Sequence, residues 1–241
     1  MGVGGGLVLV PLLVYALHVA QHEAQGTSLA FVIVTALVAA IPYYGHERLD
    51  LILVFWLALG AVPGVLLGSR LAARTSAARL RVAFGAVMLV TAIRMLAAPP
   101  LASGGGLWPV PLNVLVGFLT GTLAGYVGIG GGTILVPILV LGQNIDQHTA
   151  QGISLLMILP VGIVGAVSYS RRGRIATQGL PALLAGGAIG ALIGALLANR
   201  TQAATLTRLF AVLLLATAAQ MIFARPRGNV PRSAEPPGGI A

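Results

Sequence analysis

The chain has 241 residues, of which 57% are apolar and 8% charged, with a formal net charge of +9. A soluble domain carries roughly 25% charged residues, so this composition excludes a soluble catalytic domain and indicates an integral membrane protein. All 14 basic residues are arginines near the ends of apolar runs, which is typical of topology signals rather than a nucleic-acid surface. The five acids fall in predicted loops or the tail and cysteine is absent, so no metal, cofactor or span-buried proton relay is predicted.

Apolar runs predict eight helical elements along the chain. They lie at about 3–19, 26–45, 51–72, 80–97, 110–142, 149–169, 177–198 and 204–224. Most are near the ~20 residues that cross a hydrocarbon core. The run at 110–142 would be roughly 50 Å long as one straight helix, which exceeds a core of about 30 Å. We expect it to break at the glycine-rich segment 128–132, because glycine allows backbone conformations that a helix interior does not.

The sequence contains an internal repeat. Residues 2–96 align without a gap on residues 128–222, at a constant offset of 126, and 37 of these 95 positions are identical, which indicates a duplicated unit. The predicted organisation is repeat 1 at 1–97, a linker at 98–109, repeat 2 at 110–224 and a disordered basic tail at 225–241. Met1 aligns with Val127, so the first copy lacks the half-helix that precedes the glycine run of the second.

Arginine counts favour one of two topologies. If every element crosses the membrane, the two faces hold six and eight arginines; if the glycine-broken elements are re-entrant, the second repeat is inverted and the counts become ten and four. The positive-inside rule favours the second arrangement, with a cytoplasmic C-terminus. We therefore expect an all-α polytopic membrane protein of two homologous four-element repeats, inverted, with re-entrant first helices. Parallel repeats are the alternative.

The two glycine runs are candidate binding elements. In a bilayer, unwound backbone is tolerated only where it lines a cavity or is buried in protein. Its free amides at the start of a half-helix form a positive dipole end suited to an anion. Close helix packing is the alternative explanation, and it is the expected role of the glycine stripes at 60–68 and 186–194. The candidates are Gly4, Gly5 and Gly6 in the first copy and Gly130, Gly131 and Gly132 in the second.

Polar residues at the next predicted helix starts form a second candidate set. Neutral donors beside fresh helix amides suit an oxyanion in a low dielectric, although the hydroxyl residues also suit simple helix capping. This set consists of Gln25, Thr27 and Ser28 with the counterparts Gln151 and Ser154. His22 and His148 are either loop histidines or proton-coupled gates, because histidine is the side chain that titrates near neutral pH.

Four segments carry a resemblance to a known family. The segments at 128–137, 148–155, 169–174 and 186–194 resemble, in that order, those of the TauE/SafE permeases of bacteria and archaea, which are associated with sulfite and organosulfonate export. The resemblance implies a secondary transporter in the bacterial inner membrane that exports a small sulfur oxyanion by alternating access. Its partners would be a small anionic substrate and lipid, with no cofactor and no nucleic acid, and a homodimer is compatible with it.

Other functions fit the same residues less well. A passive anion channel would use the same polar elements without a moving gate, and a permease for another small organic anion would differ only in cargo. An intramembrane enzyme is disfavoured because catalysis wants clustered His, Asp, Glu or Cys, and the predicted spans contain almost none. We therefore expect a transporter rather than an enzyme.

Overall fold

The computed structural model describes residues 4–44, 49–97, 108–177 and 179–223, and all regular structure in these ranges is helical. The tail at 225–241 and most of the linker lie outside them. The helices are α1 Gly6–Pro11, α2 Gln21–Tyr44, α3 Leu51–Arg74, α4 Ala77–Ala97, α5 Val110–Val127, α6 Gly132–Gly142, α7 Gln147–Ser170, α8 Leu180–Asn199 and α9 Ala203–Phe223. A wider π-helical turn over Leu12–Ala16 extends α1. The expected all-helical fold is confirmed for the described ranges.

The described helices include several that suit a bilayer. Five are long and apolar enough to cross a membrane: Gln21–Pro42, Leu51–Arg74, Val110–Val127, Gln147–Ser170 and Leu180–Asn199. Large apolar side chains on these helices, such as Ile41, Ile52 and Leu197, are exposed, as expected of a surface that faces lipid. The chain is a multi-pass membrane protein.

Helix starts differ from the sequence-based boundaries at two places that matter for the site. α2 begins at Gln21 and α7 at Gln147, earlier than the predicted 26 and 149. The Asp146 carboxylate caps α7 by accepting from the amides of His148 at 2.8 Å and Thr149 at 3.4 Å. The interpretation of Thr27, Ser28 and Ser154 as helix caps is therefore wrong, since these residues lie inside α2 and α7.

The long apolar run breaks where its glycines predict, and the chain then turns back. α5 ends at Val127 and α6 begins at Gly132. A Cβ on Gly142, at the end of α6, would lie 2.6 Å from the ring of Trp108, just ahead of α5. Nearby, Gln143 Nε2 donates to Asn113 Oδ1 at 2.7 Å. α5 and α6 thus form an antiparallel hairpin whose two ends lie together.

α3 and α5 run parallel and interlock through glycines. A Cβ on Gly60, Gly64 or Gly68 of α3 would collide with a backbone carbonyl of α5, and Gly117, Gly121 and Gly125 of α5 meet the backbone of α3 in the same way. This backbone approach confirms the packing role expected of the first stripe. At the second stripe, Gly186, Gly190 and Gly194 of α8, no described atom lies within 4 Å of the Cβ positions, so the packing role expected there is not observed.

α2 and α7 form the centre of the protein and run antiparallel. A Cβ on Gly26 would lie 3.0 Å from Tyr169 Cβ, and one on Gly162 would lie 2.8 Å from Ile33 Cγ1, so residue numbers rise along α2 as they fall along α7. Val32 at the middle of this pair contacts both glycine breaks, because a Cβ on Gly4 or Gly130 would lie 3.1 or 3.2 Å from its side chain. The α2–α7 pair therefore positions the candidate site.

Candidate functional site

The second glycine break places the start of α6 in the protein interior. Gly130 and Gly131 both have φ of 83°, left-handed values that glycine adopts without strain, and Gly131 caps the helix. Gly132 and Thr133 are buried. The first amides of α6 that donate to a helix carbonyl are those of Ile134 and Leu135, which both donate to Gly131 O. The amides of Gly132 and Thr133 have no partner within the helix, so the positive dipole end of α6 is buried.

The first glycine break repeats this geometry at the start of α1. Gly4 and Gly5 have φ of 62° and 75°, and Gly5 caps α1 as Gly131 caps α6. Gly4 and Gly6 are buried, whereas Gly5 is exposed. A Cβ on Gly6 would lie 3.1 Å from Ile129 O, so the two breaks meet. The starts of α1 and α6 are thus neighbours against the middle of α2.

Two buried hydroxyls lie beside these helix starts. Ser28 Oγ and Thr133 Oγ1 have no hydrogen-bond partner within the part of the chain that the structure describes. Ser28 borders the first break, because a Cβ on Gly6 would lie 2.9 Å from its Oγ. Leaving a buried hydroxyl unsatisfied costs about 1–3 kcal/mol, so both are donors available to a ligand. Sequence reasoning missed Thr133; its position directly after the glycine run was the signal for it.

Gln25 and Thr27 have structural partners instead. Gln25 Nε2 donates to Tyr126 O at 3.5 Å, and its Oε1 lies 3.3 Å from the Tyr169 hydroxyl, which also donates to Gly125 O at 2.9 Å. These contacts satisfy free backbone carbonyls in the last turn of α5. Thr27 Oγ1 accepts from Ala176 N at 2.9 Å and fixes the segment after α7. Of the first-copy polar set, Ser28 borders the first glycine break, and Gln25 packs against Gly128 at the start of the second.

These roles predict opposite effects of two neighbouring substitutions on stability. Gln25→Ala should lower the free energy of unfolding by about 1–3 kcal/mol, because it leaves the half-buried Tyr126 carbonyl without this partner and removes an acceptor of the Tyr169 hydroxyl. Ser28→Ala removes a hydroxyl with no described partner and should leave the thermal midpoint unchanged or slightly raised. Thermal unfolding of the two purified variants in detergent measures both. Equal midpoints would show that Gln25 does not stabilise the end of α5.

The structure does not bring the two polar sets together. Leu29 of α2 packs on Gly165 of α7, so Ser28 lies level with the C-terminal half of α7, whereas Ser154 lies near its N-terminus. At ~1.5 Å per residue the two hydroxyls are about 18 Å apart along the helix axes. Gln151 and Ser154 are fully buried and engaged in interactions of their own. The sets therefore occupy opposite halves of the α2–α7 pair.

The histidines lie at opposite ends of that pair. His22 is in the first turn of α2 and His148 in the first turn of α7, and both are partly buried. The Arg174 guanidinium is close enough to His22 to act on it electrostatically. In the described ranges, the Nδ1 atoms of both histidines and one guanidinium nitrogen of Arg174 are buried without a partner. Gating by these histidines stays a prediction.

A further polar cluster lies at the open end of the α5–α6 hairpin. Its Asn113 was a weaker sequence-based candidate for lining a substrate path, whereas Gln143 and Gln147 were not predicted. Asn113 is buried, donates to Trp108 O at 2.9 Å and accepts from Gln143. Gln147, which begins α7, is buried, and neither its amide oxygen nor its amide nitrogen has a partner in the described chain. Across the described ranges no three His, Cys, Asp or Glu residues are grouped as a metal site would need.

The starts of α1 and α6 thus lie in the interior of a multi-pass membrane protein, against the central α2–α7 pair. The family model described as "Sulfite exporter TauE/SafE" matches residues 1–221. The chain belongs to the TauE/SafE family. This confirms the family resemblance of the sequence motifs. It also places the chain among membrane transporters, because similar curated proteins in this family carry that description.

Relatives of this TauE/SafE protein extend over most of its length. A "Probable membrane transporter protein" of Xylella fastidiosa (strain Temecula1) is 30% identical over 233 residues, covering 92% of this chain and 88% of the relative. "Probable membrane transporter protein YunE" of Bacillus subtilis is 25% identical over 251 residues, covering 92% and 91%. An Arabidopsis thaliana "Sulfite exporter TauE/SafE family protein 3" is 38% identical over 74 residues, 31% of this chain and 15% of the relative. No solved structure matches.

Proposed function

We propose that the chain is a secondary transporter that exports a small sulfur oxyanion, sulfite or an organosulfonate, across a bacterial inner membrane. The observation that carries the proposal is the buried start of α6, where free amides lie next to the unpartnered hydroxyl of Thr133. Such a helix start favours an anion through its dipole and its donors. The neighbouring start of α1 and Ser28 Oγ add donors of the same kind.

The charges of the described residues favour an anion over a cation. Asp50 and Asp146 cap α3 and α7, and Glu23 is exposed in the first turn of α2. None of these carboxylates contacts either glycine break, so a cation would meet no opposite charge there. Neutral donors in a low dielectric hold an oxyanion without an ion pair, which would also let it leave. The family description, which names sulfite, supports this class of cargo.

We propose alternating access by two inverted repeats. At the repeat offset of 126, the bounds of α2 and α7 correspond residue for residue, as do those of α4 and α9. The antiparallel packing of α2 on α7 supports inversion, because parallel repeats would align these counterparts in the same direction. The turned-back α5–α6 hairpin supports re-entrant elements. Rocking of one repeat against the other about the central pair would then expose the two helix starts to each side in turn.

The proposed site predicts a loss of affinity without a loss of fold. Ser28→Ala and Thr133→Val should each weaken sulfite binding roughly tenfold or more, because a hydrogen bond to a charged group contributes about 1.5–3 kcal/mol. Thr217→Val is the matched control, since this buried threonine donates to Leu213 O within α9 and contacts neither break. Binding of radiolabelled sulfite to the purified proteins measures the effect. Unchanged affinity in both site variants would remove these hydroxyls from the site.

Counterflow separates a transporter from a channel. Proteoliposomes loaded with unlabelled sulfite should accumulate external labelled sulfite transiently, because an alternating site exchanges one anion for another. A passive channel gives no such accumulation. If no transient accumulation were seen, the alternating mechanism would be rejected. Repeating the assay with taurine, sulfoacetate and sulfate as internal anions ranks the cargo, and a carboxylate preferred over every sulfur anion would point to a permease for another organic anion.

A further inference from the structure

A large groove lies along α8, on the face that carries the unpacked glycine stripe. Its volume is about 680 Å³, and its lining is mostly apolar, including Phe31, Gly190, Ala191 and Leu213. We call it the α8 groove. It is bordered by α1, α2, α8 and α9, and Leu155 of α7 also lines it. None of its described lining residues is charged, so the groove is unsuited to the anion proposed above, and its glycine floor requires a separate explanation.

The floor of the α8 groove matches a surface that is covered elsewhere in the protein. In α3, the strip that holds α5 is Leu57, Gly60, Ala61, Gly64, Val65 and Gly68. The residues 126 positions later in α8 are Leu183, Gly186, Gly187, Gly190, Ala191 and Gly194. Every residue of the second strip is the same size as its counterpart or smaller. A helix that fits on α3 therefore meets no added bulk from α8 itself, although the Phe31 ring of α2 packs against Gly187.

The walls of the α8 groove match as well. α5 packs on α3 and also touches α4, α6 and α7. The counterparts of those four helices at the offset of 126 are α8, α9, α1 and α2, and all four border the groove. The groove is therefore equivalent, wall by wall, to the space that α5 fills. This correspondence is independent of the glycine stripe.

We propose that the α8 groove is the docking site for one further apolar membrane helix of the α5 type, parallel to α8. Its chemistry follows from α5: about 18 residues, uncharged, with a glycine or another small residue at every fourth position. A second copy of the chain fits poorly as its source, because its own α5 is already covered by its α3. A lipid chain does not require a floor of glycines, whereas helix backbones approach closely only over small residues.

The test uses a labelled peptide with the sequence of residues 108–127 and the full chain in detergent micelles. The peptide should bind saturably to the wild-type protein, measured by fluorescence anisotropy. Gly190→Leu, which fills the groove where nothing lies within 4 Å, should weaken binding roughly tenfold or more. Ala185→Leu, on the same helix but outside the groove, should bind as the wild type does. A peptide with leucine at all three of its glycine positions 117, 121 and 125 should not bind.

Three results would overturn the proposal. In the first, the wild type shows no saturable binding of the free peptide in micelles, and the peptide fused ahead of residue 2 also fails to occupy the groove. These two observations together would mean that lipid or detergent fills the groove. In the second, the wild type binds no peptide but associates with itself, and Gly190→Leu abolishes that self-association. This result would assign the groove to a second copy of the chain. Equal peptide affinity in the two leucine variants would place the peptide elsewhere. Both leucine variants must keep the wild-type thermal midpoint, which their open surroundings predict.

Discussion

Gly64→Ala should destabilise the protein severely, while Gly190→Ala should not. A Cβ on Gly64 would collide with the Phe118 carbonyl, because α3 and α5 touch backbone to backbone, and relief requires the two helices to separate. Overpacking of this kind costs about 1–3 kcal/mol or more, beyond the ~1 kcal/mol that alanine otherwise gains over glycine in a helix. Gly190 lies 126 positions later, in α8, and has open space around it in the described chain.

Thermal unfolding in detergent compares the two alanine variants directly. We expect Gly64→Ala to express poorly or to unfold at least several degrees below the wild type, and Gly190→Ala to match or exceed it. Because both glycines lie in the interior of long apolar helices, the pair isolates the effect of the packed helix from that of the substitution. Equal midpoints would mean that α5 does not pack on α3 as closely as the structure shows.

Gly131→Ala should abolish most transport. At φ of 83° an alanine costs about 1–2 kcal/mol, and its Cβ would lie 3.1 Å from that of Ala124. The backbone at Gly131 would rotate to relieve this strain. That rotation would move the amides of Gly132 and Thr133 away from the proposed anion site. We expect the initial rate of sulfite counterflow to fall tenfold or more, while the protein remains folded.

Gly179→Ala is the matched control for this substitution. Gly179 caps α8 at φ of 74°, in the same backbone conformation, but nothing lies within 4 Å of its Cβ position. It should lose a similar amount of stability and keep its transport rate. If both variants lost transport equally, the loss would reflect general strain, and the start of α6 would have no special role in binding.

Sequence reasoning found the elements whose cause is local. The break at 128–132 was predictable because the apolar run 110–142 is too long for a bilayer and glycine is the residue that permits an interruption. The starts of α2 and α7 were placed too late because Gln21, His22 and Gln147 are polar and lower the hydropathy of a turn that is helical. Apolar runs report the part of a helix in lipid, whereas a helix itself begins at its cap.

The candidate site was harder to predict because its contacts are distant in sequence. Gln25 was grouped with Ser28 as an anion ligand, yet its partners Tyr126 and Tyr169 are 101 and 144 residues away. No pattern within α2 distinguishes a side chain that hydrogen-bonds to the end of another helix from one that faces a ligand. The offset of 126 likewise predicted a packing role for the second glycine stripe, and only the fold shows that its neighbouring helix position is open.

The contacts of Gln25 and Tyr169 have a consequence for assembly in the bilayer. They satisfy carbonyls at the end of α5 that would otherwise be unpaired inside the membrane protein, where such polar groups cost several kcal/mol. One of these side chains comes from α2 and the other from α7, so α5 is fully stabilised only after segments synthesised before and after it have converged. Expressed separately, residues 1–97 and 110–223 should therefore be degraded or aggregate, and co-expression of the two pieces should rescue both. We therefore expect the chain to fold as a single cooperative unit, in which neither half is stable without the other.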